Sequence, residues 1–266
     1  MFPDCHVHSS FSFDCEEPLA SYVDRSAGLL LTTEHLELAN SVNGGRDDVP
    51  DFARIARQMD RIRQEEADPG LKSVVGAEVG YSREHPNQLE DLLGGEAIDL
   101  RLLSFHSYRG HDWIEVEAHQ NISDHDYAAA YFDLVLEGLQ TLGGQVDVLT
   151  HLDYPFRYRP SLRGQAVFDE FAGPIGLIID ACAERGLVVE LNTKSMYKYG
   201  DESFYALLLG MVAAKSGQGA PIAVCLGSDC HRASDWRAGF SRAEGLAAAH
   251  GLKPLDLDGL ISRLGR

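Results

Sequence analysis

The chain opens on Asp4-Cys5-His6-Val7-His8-Ser9, and Asp14 follows His8 by six residues. Alternate side chains of an extended segment share a face, so His6 and His8 point the same way and can grip one metal ion. Asp14 can reach back over the end of that segment. Neutral imidazole with carboxylate is the donor set of zinc, manganese or iron. An ordinary strand with two polar residues facing water carries the same His-x-His spacing, so this motif decides nothing alone. The placement of the remaining candidates carries the argument. His35, Glu78, His106, His151 and Asp229 each stand at or just past the end of an apolar run, and His231 follows Asp229 by two residues.

Those runs occupy 29–33, 72–78, 98–105, 146–150, 187–191 and 222–228, and with the opening segment they make seven strand-like stretches. Helical patterns separate them. Residues 18–27 suit a short helix. Pro50 opens a second, whose Phe52, Ile55, Met59 and Ile62 recur at helical spacing as a buried stripe and which Pro69-Gly70 stops. Ser123 to Asp126 has capping-box spacing ahead of a face formed by Tyr127, Tyr131, Leu134, Val135 and Leu142, and another helix spans 167–185. Residues 40–49 and 107–122 read as loops, the longer one as a lid or rim. Strands alternating with helices imply an α/β fold with parallel strands, and in a closed βα barrel all the strand ends meet at one mouth.

Nine ligand-type residues then converge: His6, His8, Asp14, His35, Glu78, His106, His151, Asp229 and His231. With Glu78 bridging, they offer ten contacts, enough for three ions at about three protein ligands each. His85, His111, His119, His125 and His250 fall away from strand ends and read as solvated or structural.

Composition narrows the partners. Over 266 residues, 41 acidic against 23 basic side chains give a net charge of −18, which disfavours extended nucleic acid and anionic membranes. No apolar run approaches the ~20 residues of a membrane span, and the start lacks a signal pattern, so a cytoplasmic protein is expected. The five cysteines are odd in number and contain no Cys-x-x-Cys, so they read as reduced thiols, with Cys5 and Cys230 as small buried residues. No Gly-x-Ser-x-Gly elbow, Walker loop or dinucleotide fingerprint is present.

Asp4-Cys-His6-Val-His8-Ser, Thr33-Glu-His35, Gly76-Ala-Glu78 and Gly227-Ser-Asp229-Cys-His231-Arg resemble the motifs of the polymerase and histidinol phosphatase (PHP) superfamily, over residues 4 to about 232. The resemblance implies one domain over 1–266, a distorted seven-stranded (β/α)7, TIM-like barrel with a metal cluster at the C-terminal mouth of the strands. It implies three divalent transition-metal ions (Mn, Fe or Zn). One would take His6, His8, Glu78 and Asp229, a second Glu78, His106 and His151, and a third Asp14, His35 and His231. Many relatives have histidine where this chain has Asp14, a change that hardens the third site toward manganese or iron.

Within the superfamily, His151-Leu-Asp-Tyr-Pro-Phe-Arg157-Tyr and Glu190-Leu-Asn192-Thr resemble the histidinol-phosphate phosphatases of histidine biosynthesis. That implies hydrolysis of a small phosphorylated substrate. Arg157 and Lys194 would bind phosphate, and Asp229 would accept the proton of the attacking water. Lys194-Ser-Met departs from the usual pattern after Asn-Thr. Arg159 and Arg232 serve equally well as surface or salt-bridge residues. Two alternatives accompany this reading: a nucleotide phosphoesterase or nuclease of the same superfamily, and a non-catalytic metal-binding regulatory module.

Overall fold

The computed structural model describes residues 2–66, 70–219 and 221–265. In chain order the elements are β1 (Val23–Asp24), β2 (Leu29–Asn40), β3 (Arg46–Asp48), α1 (Phe52–Glu65), β4 (Lys72–Gly80), α2 (Pro86–Gly95), β5 (Leu100–Ser104), β6 (Ser107–Tyr108), β7 (His111–Asp112), α3 (Asp124–Leu142), β8 (Val148–Leu149), α4 (Gln165–Arg185), β9 (Val188–Asn192), α5 (Lys194–Tyr197), α6 (Ser203–Gly217), β10 (Val224–Gly227), α7 (Phe240–Ala249) and α8 (Leu257–Arg263).

Strands β2, β4, β5, β8, β9 and β10 run parallel and side by side in that order. The opening segment supplies the seventh stave without regular strand geometry. The Cys5 N–H donates to Leu226 O (2.9 Å) and the His8 N–H to Cys230 O (3.0 Å), while on the other side the Thr33 N–H donates to Val7 O (2.7 Å). The result is the distorted α/β barrel implied above, closed between β10 and β2 by residues 4–8.

Alternation along the strands grades the barrel interior. Leu29 and Leu31 of β2, Val74 of β4, Leu100 and Leu102 of β5, Val148, Val188 and Cys225 form one buried cluster at the foot, against which Leu260 and Ile261 of α8 pack. Four and six residues further along the same faces come His35 and Glu78, then Glu37. The main core lies on the outside of the sheet, where α1 contributes Phe52, Ile55, Met59 and Ile62, each at most 3% exposed. Burying each such side chain stabilises the fold by roughly 1.5–3 kcal/mol. Asp51 caps α1 by accepting from the Arg54 N–H (2.7 Å), so Pro50 precedes the cap. Ser123 caps α3 as its spacing predicts, accepting from the Asp126 N–H (3.1 Å).

The structure differs from the sequence reading in three places. Residues 18–27 form only a 3-10 turn, Leu19–Tyr22, and then β1, which pairs antiparallel with β2. The 40–49 loop contains β3, also antiparallel to β2, which itself runs on to Asn40. The 107–122 segment folds as the β6–β7 hairpin and a 3-10 turn around fully buried Trp113, whose aromatic neighbours, not sequence periodicity, order it. Pro69 lies outside the described residues, and α1 ends at Glu65. Among the described residues no helix is long and apolar enough to cross a membrane.

Candidate metal centre

Glu78 stands near the end of β4, in register with His35 of β2. Its Oε1 lies 2.5 Å from His151 Nε2 and 3.0 Å from His106 Nε2. Its Oε2 lies 3.2 Å from His6 Nε2, 3.3 Å from His8 Nε2 and 3.1 Å from His35 Nδ1. One carboxylate thus faces five histidines. Burial pushes its pKa up, but His6, His106, His35 and His151 outweigh burial and hold it well below the usual carboxylate range.

The histidines are oriented from behind. His6 Nδ1 faces Glu190 Oε1 (2.8 Å), His106 Nδ1 faces Glu37, and His8 Nδ1 faces the Ser12 hydroxyl (3.1 Å), which itself donates to Glu34 (2.5 Å). With the Nδ1 atoms of His6, His8 and His106 engaged, the Nε2 atoms crowd together: His6 and His8 at 3.0 Å, His106 and His151 at 3.3 Å. Neighbouring ligands of a tetrahedral metal with 2.0–2.1 Å bonds stand ~3.3 Å apart, and ligand histidines characteristically give their second nitrogen to a carboxylate. Glu78 Oε2, close to three ring nitrogens, still makes no hydrogen bond among the described residues. Donor atoms aimed at one another with nothing to share fit a cation, and these residues fit divalent metal ions.

All nine sequence candidates line this mouth. His6, His8 and Glu78 make one close set and Glu78, His106 and His151 another. His8, His35 and His231 make a third, with Asp14 reaching His231 Nε2 (3.0 Å) and His35 Nε2 (3.6 Å) at the more exposed rim. Asp229 lies 3.7 Å from both His8 and His231, and its pKa is held well below the usual range because Lys194 and His6 outweigh burial. The backbone is strained at two of these residues, with φ of 20° at His151 and 52° at Asp229. Gly227 makes room: a Cβ there would meet Glu190 Oε1 at 2.0 Å and His6 Cβ at 2.6 Å.

Arg157 is buried beside the cluster. Its Nε donates to Ser195 Oγ (2.9 Å) and Asp153 (3.3 Å), and its Nη2 to Asn192 (3.0 Å) and Asp153 (3.1 Å). Its Nη1 is left 3.6 Å from Asp229 Oδ2. Lys194 Nζ lies 2.9 Å from Asp229 Oδ1. Both cations line a cavity of about 1140 Å³ together with Glu78, Asp229 and His231. Arg159 instead pairs with Asp124 (2.6 Å). Among the histidines set aside, His125 is exposed beside Glu170 and His119 is buried against the Asp112 carbonyl (3.0 Å). All five cysteines are free thiols, and Cys5 and Cys230 are buried.

Glu34, Glu37 and Glu190 were absent from the candidate set. Glu37 follows His35 by two residues on one strand face and Glu190 precedes Asn192 in the same way, spacings that point to the mouth only once the opposite wall is known.

Among solved structures, histidinol phosphate phosphatase from Lactococcus lactis subsp. lactis Il1403, complexed with zinc, L-histidinol and phosphate, matches with a TM-score of 0.79 at 22% identity over 97% of each chain. A protein from Listeria monocytogenes described as a candidate histidinol phosphatase matches with a TM-score of 0.70 at 19% identity, over 90% of this chain and 98% of its own. At such identities the likeness is one of fold. No curated protein matches the chain. The PHP domain family model matches residues 4–194, which carry seven of the nine convergent ligand-type residues, and the chain belongs to that family.

Proposed function

We propose that the chain is a metal-dependent phosphomonoester hydrolase that converts L-histidinol phosphate and water to L-histidinol and phosphate, a cytoplasmic step of histidine biosynthesis. The observation that carries this reading is the carboxylate hub ringed by histidines beside a buried arginine whose Nη1 faces Asp229 across 3.6 Å. The ligands bound by the Lactococcus relative, zinc, L-histidinol and phosphate, support it. We assign the nine residues to three ions in the groups given above, and residues 1–266 to one catalytic domain.

Divalent ions, if held by these histidines and carboxylates, would supply Lewis acidity at a phosphoryl oxygen and lower the pKa of a water. The chain's own residues do the rest. Three neighbours fix the Arg157 fork, so its Nη1 meets an incoming phosphoryl oxygen without reorganising. Lys194 adds a second positive charge on a half-buried side chain. Asp229, kept ionised by Lys194 and His6, accepts the water proton at a carboxylate oxygen and passes it to the leaving alcohol.

The test is kcat/KM at equal metal loading for L-histidinol phosphate, AMP, a short oligonucleotide and p-nitrophenyl phosphate. L-histidinol phosphate should lead. Faster turnover of AMP or the oligonucleotide would overturn the assigned substrate.

A further inference from the structure

One buried carboxylate on the cavity wall has no part in the chemistry above. Asp112, at the end of β7, is 6% exposed and lines the cavity. Its Oδ1 accepts from the Ile114 N–H (2.8 Å) and the Tyr154 hydroxyl (2.9 Å), while its Oδ2 has no hydrogen-bond partner among the described residues. Its place is fixed relative to the histidines. The Trp113 N–H donates to His106 O (3.0 Å), and the Tyr154 ring lies 4.8 Å from the His106 ring and 5.1 Å from the His151 ring. Tyr154 therefore spans from the ligand cluster to Asp112, with Arg157 over its ring at 5.7 Å. Exposed Ile114 and Val42 line the cavity on the same side.

A carboxylate oxygen that opens onto the cavity with no protein partner is an acceptor available to an N–H or a positive charge that enters there. Burial, only partly offset by His106, pushes the Asp112 carboxyl up to about 6. The apolar rim beside it suits a carbon skeleton.

We propose that Asp112 is a specificity-determining residue whose free Oδ2 receives an N–H-bearing nitrogen of the leaving alcohol, and that Tyr154 is the positioning residue that holds it there. This rests on the phosphomonoesterase reading: phosphate at Arg157 and the histidines, nitrogen at Asp112, and the carbon chain laid along Tyr154. Amine and imidazole nitrogens share this chemistry, and analogues separate them.

The experiment compares the parent with Asp112→Asn, which keeps the Oδ1 acceptor. The substrates are L-histidinol phosphate, its analogue without the amine, phenylalaninol phosphate, and p-nitrophenyl phosphate as the nitrogen-donor-free control. Asp112→Asn should lower kcat/KM for L-histidinol phosphate about 10- to 100-fold and leave p-nitrophenyl phosphate within about threefold. The effect should vanish for one analogue, which names the nitrogen. Tyr154→Phe should reproduce the pattern at reduced size with unchanged metal content. Equal losses on all four substrates, or none on L-histidinol phosphate, would overturn the assignment. A parent that prefers AMP sinks the histidinol reading separately. Asp112 is then judged by both analogues against p-nitrophenyl phosphate, and two ratios unmoved by Asp112→Asn overturn it.

Discussion

The Nε2 atoms of His6 and His8 lie 3.0 Å apart, and both rings turn their Nδ1 away, His6 toward Glu190 and His8 toward Ser12. Two ring nitrogens so placed need a cation between them, a proton in the metal-free chain or a metal ion in the loaded one. Chelation should therefore lower Tm. With free ion at ~1,000 times Kd the folded chain gains about 4 kcal/mol. Calorimetry with and without chelator checks this, and an unchanged Tm argues against a bound ion.

Glu78→Gln keeps the hub's shape and removes its charge. Loss of several kcal/mol of transition-state stabilisation, on the order of a thousandfold in kcat, is expected together with lower metal content by elemental analysis. His6→Ala should behave alike. His85→Ala, at the start of α2 and outside the cavity lining, should retain parent turnover and metal content.

Glu37 touches His106 from behind and is not one of the nine assigned ligands. Glu37→Gln should weaken binding of one ion by about 10- to 100-fold and leave the others in place. Competition with a chromophoric chelator resolves the classes, and uniform weakening of all would count against an orienting role.

Arg157→Ala should cost about 2–4 kcal/mol in kcat/KM, as for loss of an oriented charge clamp. Arg157→Lys should recover little, because a lysine cannot reproduce the fork that Asp153, Asn192 and Ser195 hold. Steady-state kinetics with unchanged metal content is the check.

Away from the site, burial raises the Asp147 carboxyl above its ordinary value, against the opposing hydrogen bond from the Arg101 N–H. A carboxyl raised on folding contributes stability below its unfolded pKa that is lost as pH rises through the folded value. Asp147→Asn keeps an acceptor for Arg101 and removes that loss. Its Tm advantage over the parent should grow from pH 4.5 to pH 7.5, as thermal melts across that range will show.

The barrel and its mouth were legible because a strand end is marked twice, once by the apolar run that must be buried and once by the polar residue that follows. His35, Glu78, His106 and His151 each carry both marks. Glu37 and Glu190 escaped because they lie inside strands, where a charge reads as solvent-facing unless the opposite wall is known; here that wall is His106 for one and His6 for the other. The short pieces at 18–27 and 40–49 escaped for another reason. Two- and three-residue strands such as β1 and β3 exist only through pairing with β2, so their own residues hold no periodic signal.

Closure of the ring by residues 4–8 also bears on how the protein is made. The Cys5 N–H donates to Leu226 O, so the segment bearing His6 and His8 leaves the ribosome before β10 and waits for it before it has a neighbour on that side. At about 5–20 residues per second, that interval is on the order of ten to forty seconds. Throughout it the nascent chain displays two histidines with no completed cage around them. Ion uptake by the group that includes Asp229 therefore waits for β10, and a chain stalled before Leu226 should emerge without that group while Glu78, His106 and His151 are already made.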